Sequence, residues 1–248
     1  MPFLTSDVQA STSNTQHSMV VSPLTAPYRG RNRMDQTIFY LINERWTNPG
    51  LDLFMAAISN IEIWKPLLIV IVLIALIFGG FKARACILCI LLSLAIVEVF
   101  TGLLKSALDR HRPKQVQSVR MVVLQKAHPE FLTLFKKPTI RYSDQSDRNK
   151  SGPSFPSGHM ANNTAIAVCL TLFYRRRGWL YWIIAVAIGY SRIYLGAHWP
   201  SDVVASLFLA TGETLLILAL LELVWRWAAR KWAPAILARH PSLLFDPA

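Results

Sequence analysis

The chain is short of charge. Only 16% of its 248 residues are Asp, Glu, Lys or Arg, where a soluble domain of this size carries about 25%. Cysteine is scarce as well. Cys86, Cys89 and Cys169 all lie inside apolar runs, which excludes a disulfide framework. The Cys86-x-x-Cys89 pair has no strand context and reads as small packing residues rather than a redox couple. No His, Cys, Asp and Glu cluster has the spacing of a metal site, so neither a metal nor a cofactor is expected. The first 33 residues hold no apolar leader. They are rich in Ser, Thr, Asn and Gln and end in Arg29, Arg31 and Arg33, the composition of a disordered N-terminal tail. No internal repeat is evident.

What the chain has instead is hydrophobic residues, at 53%. They gather in runs close to the ~20 residues that cross a bilayer as a helix. Five strong segments fall at about 64–81, 84–104, 160–174, 179–196 and 203–224. A weaker one at 36–60 contains Asn43, Glu44, Arg45, Asn48 and Pro49-Gly50. It is either a broken spanning helix or an interfacial helix followed by a short span. The expected fold is all-α: a polytopic membrane helix bundle of about six transmembrane helices over residues 34–232, with an extramembrane loop at 105–157 and a C-terminal tail at 233–248. Trp46, Trp64, Trp179, Trp225 and Trp227 sit at segment ends, as interfacial anchors do.

The net charge of +12 invites a nucleic-acid reading. Many of the basic residues flank apolar runs, where topology and lipid headgroups account for them, so the expected partner is a membrane and no nucleic acid. One face carries short basic connections: Lys82 and Arg84, Arg175-Arg176-Arg177, and Arg226, Arg230 and Lys231. With six spans, Arg29, Arg31 and Arg33 would join them. Short basic loops mark the cytoplasm. The 105–157 loop is also basic, but its charges have a chemical use, as follows.

Three polar strings interrupt the apolar pattern, and alternation of the spans places all three on one membrane face. The first is Lys105-x6-Arg112-Pro113. Lys105 and Arg112 are two helical turns apart if the helix continues, and offer a point charge and a planar fork for phosphate oxygens. In isolation, a snorkelling juxtamembrane basic cluster is the better explanation of the pair. The second is Pro156-Ser157-Gly158-His159, at the start of a span. Ser157 can cap the helix, Gly158 lets backbone N–H groups approach an anion, and His159 can protonate a leaving alkoxide. An ordinary N-cap beside a spare histidine is the alternative. The third is Ser191-Arg192-x5-His198-x3-Asp202. Four residues separate His198 from Asp202, so the carboxylate can bond one ring nitrogen and leave the other free to attack. Arg192 adds a third cation. Glu98 and Glu213 lie at membrane depth, where carboxylates need partners.

Together these strings resemble the signatures of the type-2 phosphatidic acid phosphatase family, matched at every defining position, over roughly residues 60–224. The resemblance implies that His198 attacks phosphorus, that Asp202 orients it and that His159 protonates the leaving group. Lys105, Arg112, Ser157, Gly158 and Arg192 would hold the phosphoryl oxygens, with no metal. Soluble haloperoxidases share the constellation, but the apolar spans argue against that relative. The expected activity is removal of a terminal phosphate from a lipid phosphate or lipid diphosphate through a phosphohistidine. Phosphatidylglycerophosphate, undecaprenyl diphosphate, a lipid A phosphate and phosphatidic acid are candidates. Transfer of the phosphoryl group to another lipid, and non-catalytic lipid-phosphate binding, are the alternatives. The expected location is a bacterial inner membrane with the site facing the periplasm.

Overall fold

The computed structural model describes residues 33–149 and 151–244. The expected N-terminal tail therefore lies, apart from Arg33, outside the described residues. Helix α1 (Arg33–Tyr40) runs through a π-helical turn (Leu41–Arg45) and a break into α2 (Pro49–Ile58). Then follow α3 (Ile61–Phe78) and α4 (Phe81–Leu108). The loop holds α5 (Pro113–Val116), an antiparallel hairpin of β1 (Arg120–Val123) and β2 (Thr139–Tyr142), a 3-10 turn (Glu130–Phe135) and α6 (Gln145–Asn149). The chain ends with α7 (Gly158–Tyr174), α8 (Arg176–Trp179), α9 (Tyr181–Tyr194), α10 (Pro200–Trp232) and α11 (Pro234–Arg239).

Helix α7 is the hub, packed against α4, α9 and α10. Its buried face includes four small residues, Ala161, Ala165, Ala167 and Cys169. In lipid, helices associate by close packing rather than by escape from water, and small residues permit that approach. Gly189 of α9 serves the same purpose, since a Cβ there would meet Met160 Sδ at 2.5 Å and Val203 Cγ1 at 3.0 Å. On α3, by contrast, Ile63 alone is buried, and Leu67, Leu68, Ile69, Val70 and Ile71 all face outward. That is the pattern of a helix bathed in acyl chains. The helices α3, α4 and α10 are each long and apolar enough to cross a bilayer.

The segment at 36–60 does not cross. Four polar side chains in and just before it reach the end of the bundle that carries the three motifs. Asp35 accepts from the Ser201 N–H at 2.8 Å and from Arg110 at 2.7 Å. Asn43 donates to the backbone carbonyls of Arg120 (2.9 Å) and Tyr194 (2.7 Å). Asp52 accepts from Arg120 at 2.7 Å and from the Tyr194 hydroxyl at 2.7 Å. Ser59 bonds Arg192. Four anchors at one end leave no room for a traverse. Among the described residues three helices, α3, α4 and α10, have the length and apolarity to span, and the shorter α7 and α9 pack with them, where about six spans were expected. The same geometry moves Arg33 to the motif face, opposite to the side that six spans would give it. The physical reason is that Asn43 and Asp52 find hydrogen-bond partners only at this end, and a polar group in lipid without one is costly.

At the far end, the residues after α10 fold back. The His240 ring stacks on Phe81 with centroids 4.0 Å apart. Glu222 accepts from the backbone N–H groups of Leu243 and Leu244, and Leu244 is buried.

Candidate functional site

The three motifs converge because four helix ends meet at one level. Asp109 takes a left-handed conformation (φ 30°) that stops α4, so Arg112 is carried by the turn that follows, as the cap of α5. The expectation that Lys105 and Arg112 share one helix face is thus replaced. They meet because the chain folds back, and each lies within the other's electrostatic reach. Arg112 Nε donates to the carbonyls of Gly152 (2.9 Å) and Pro153 (3.3 Å), which fixes the plane of its fork just before the second motif.

Ser157 caps α7. Its backbone N–H donates to Ser206 Oγ at 2.8 Å, and its own hydroxyl is buried with no partner among the described residues. Arg192 comes from the last turn of α9. One terminal nitrogen is held by Ser59, and its Nε is also buried and unpartnered among the described residues. A Cβ on Gly158 would stand 3.7 Å from Lys105 Nζ, so the Gly158 α-carbon faces the lysine head directly. Buried polar atoms in native proteins are nearly always satisfied. Two orphans at the N-terminus of a helix, beside a lysine and a second arginine, describe an anion cradle.

His198 lies in the turn between α9 and α10 and is buried. Its Nδ1 is 2.6 Å from the Ser154 backbone carbonyl. A carbonyl only accepts, so Nδ1 carries the proton and Nε2 keeps its lone pair. Burial holds this imidazole well below the usual histidine range, and the nearby charges of Arg112 and Arg192 act in the same direction. Both effects favour the neutral ring. His159 lies close enough to feel Arg192, Lys105 and Arg112, and its ring bonds the Ser59 backbone.

The direct bond expected between Asp202 and His198 is not made. The closest approach is 3.9 Å. Asp202 instead accepts from the Ser154 hydroxyl, from the Trp199 N–H at 3.0 Å and from Arg110. Ser154 is therefore the joint: its carbonyl fixes His198 and its hydroxyl is fixed by Asp202. Arg110, Asp35 and Ser154 were missed in the sequence. Arg110 stands two positions before Arg112 and offered a signal, but nothing local to residue 35 or 154 announces a partner 166 or 48 positions away. Of the two membrane-depth carboxylates, Glu98 accepts from Asn162 at 3.2 Å. It ties α4 to α7 below the cradle.

Beneath His159 opens a cavity of about 530 Å3 between α2, α3, α7 and α9. Its walls are Leu53, Phe54, Ile61, Leu67, Leu68 and Ile184, and His159 and Asn163 are among the few polar groups that reach it.

Comparison with known proteins gives a consistent picture. The model of one family, described as the PAP2 superfamily, matches residues 86–231. The bacitracin transport permease protein BcrC of Bacillus licheniformis is 39% identical over 64 residues, 26% of this chain and 32% of that protein. An undecaprenyl-diphosphatase of Sulfolobus acidocaldarius is 42% identical over 64 residues, 25% of this chain and 31% of the other. A lipid A 4'-phosphatase of Porphyromonas gingivalis is 28% identical over 120 residues, 48% of this chain and 46% of the other. The matched stretch thus spans about a third to a half of the length of these relatives. Among solved structures, LpxE of Aquifex aeolicus aligns with 76% of this chain and 96% of its own, at 24% identity and a TM-score of 0.52, a likeness of fold.

Proposed function

We propose that this chain, which belongs to the PAP2 superfamily, is an integral-membrane phosphatase that removes a terminal phosphate from a lipid phosphate or lipid diphosphate. The observation that carries the reading is the pair of unpartnered buried atoms, Ser157 Oγ and Arg192 Nε, beside a histidine whose Nδ1 is committed to a carbonyl. The cradle lacks only a group with several anionic oxygens.

The chemistry follows from the geometry. Lys105, Arg112 and Arg192, with the Ser157 hydroxyl and the first N–H groups of α7, hold the three equatorial oxygens and stabilise charge that builds there. His198 Nε2 attacks phosphorus as the bond to the leaving oxygen breaks, and His159 gives that oxygen a proton. Water then attacks the phosphohistidine with His159 as base, the N–P bond breaks, and inorganic phosphate leaves. The apolar cavity below His159 fits an acyl or prenyl tail, so the leaving oxygen would sit beside its acid while the tail stays in lipid. Relatives named for undecaprenyl diphosphate and lipid A support a lipid substrate of this kind. The short basic connections at the far end favour a cytoplasmic location for that end, with the site on the outer side of a bacterial inner membrane.

The test is a panel of phosphatidylglycerophosphate, undecaprenyl diphosphate, a lipid A phosphate and phosphatidic acid, each with phosphate release and an acid-labile phosphoenzyme as readouts. At least one should be hydrolysed by the wild type and by no His198→Ala preparation. Identical behaviour of the two proteins across the panel would sink the proposal.

A further inference from the structure

The 3-10 turn Glu130–Phe135 exposes Phe131 (53%), Leu132 (38%) and Phe135 (81%). Large apolar side chains gathered on a short turn are expensive to hold in water and mark a surface made for something else. Two neighbours say what. The turn packs against α3, whose outward residues are apolar almost throughout, so its apolar surface is continuous with a lipid-facing helix. Its Leu134 lines the apolar cavity, together with Trp64, Leu67 and Leu68 of α3. Lys126, Lys136 and Lys137 flank the turn and are exposed. Lys136 Nζ bonds the Lys126 carbonyl at 3.3 Å, which keeps the two ends of the segment together. The turn is internally braced as well, since the Ala127 N–H donates to the buried Thr133 hydroxyl at 3.3 Å.

We propose that residues 126–137 form a wedge inserted in the lipid leaflet on the site's side, beside α3. Phe131, Leu132 and Phe135 lie among the upper acyl chains, and the lysines lie at the level of the anionic phosphates. Aromatic groups with flanking lysines are the chemistry of an interfacial anchor. Since Leu134 forms part of the cavity wall, the wedge also borders the lateral opening by which a lipid tail reaches the cavity. This second consequence rests on the phosphatase reading; the leaflet contact does not.

The native cysteines are buried at 0–2% exposure, so a single Phe135→Cys substitution can carry a nitroxide label, with the unmodified chain giving the background. The protein is reconstituted in vesicles of phosphatidylethanolamine and phosphatidylglycerol. The label at 135 should relax with dissolved oxygen and resist a water-soluble nickel chelate, and a label at exposed Ser146→Cys should do the opposite. Equal nickel access at both positions overturns the wedge. For the second consequence, a Phe131→Ser/Phe135→Ser variant should lose more than about twofold in kcat/KM on a lipid phosphate in bilayers and keep its rate on a short-chain soluble phosphate. Equal loss on both substrates, or none on either, overturns the role at the opening. If neither variant nor wild type hydrolyses anything, the phosphatase reading fails and the depth measurement still decides the wedge.

Discussion

Ser154 and His198, 44 positions apart, are joined by a 2.6 Å bond from the imidazole Nδ1 to the serine's backbone carbonyl, while the serine's hydroxyl is held by Asp202. The His198 ring is therefore oriented by main chain, and the Asp202 carboxylate orients that main chain. Removing the hydroxyl leaves the carbonyl present but loosely held. Ser154→Ala should slow phosphoenzyme formation in proportion to one hydrogen bond to a charged group, about 1.5–3 kcal/mol or roughly 10- to 150-fold. Substrate affinity should be nearly unchanged. Rapid-quench measurement at saturating substrate checks it, and a change confined to KM contradicts it.

The roles proposed for His159 and His198 differ, and leaving-group chemistry separates them. His159→Ala should lose about 10²- to 10⁴-fold on an alkyl phosphate and far less on p-nitrophenyl phosphate, whose leaving group needs no proton. His198→Ala should lose activity on both. A His159 variant equally impaired on both esters would remove it from the acid's role.

Gly158 faces the lysine head without touching it, since a methyl group there would lie 3.7 Å from Lys105 Nζ, an ordinary contact. Gly158→Ala should therefore fold as well as wild type while its methyl takes part of the phosphate's space. Weaker competitive inhibition by orthovanadate at an unchanged thermal midpoint is the expected result.

The buried Arg120–Asp52 pair fastens the hairpin to α2, with the Tyr194 hydroxyl on the other carboxylate oxygen. Breaking it from one side leaves a buried charge alone, at a cost of about 3–5 kcal/mol. Asp52→Ala should lower the thermal midpoint in detergent markedly. Replacing both partners with apolar residues should recover much of the loss, as a thermal-shift series would show.

His198 also sets a pH dependence. Its folded-state pKa is pushed down by burial and by the two arginines, so the unfolded chain binds this proton more readily. Below the unfolded value of about 6.5 the ligand-free protein should lose stability as pH falls, until the folded pKa is passed; above about 6.5 the effect vanishes. His198→Gln should flatten the acid side of a midpoint-against-pH curve. Phosphoenzyme formation should not decline between about pH 7 and 6.5 on account of this group.

Much of this was written in local sequence. The helices from α3 onward follow from long apolar runs, because lipid demands a helix wherever the chain crosses it. The cradle residues were legible because each sits at a segment end, where a buried charge has no structural excuse. The segment at 36–60 was legible only as one of two alternatives, a broken span or an interfacial helix followed by a short span. Its Asn43 and Asp52 weaken the apolar run, yet only Arg120 and Tyr194, far along the chain, say where those groups must lie.

Sequence alone determined the helical membrane class, the three polar motifs and their common face, since hydropathy and helix parity are properties of consecutive residues. Tertiary structure alone decided that Asp202 reaches Ser154 rather than His198, that Arg110 bridges Asp202 to Asp35, and that the first segment stays at the surface. Those choices are hydrogen bonds between residues 48 to 166 positions apart. No local pattern encodes them, because their partners become neighbours only after α4, α7, α9 and α10 have packed.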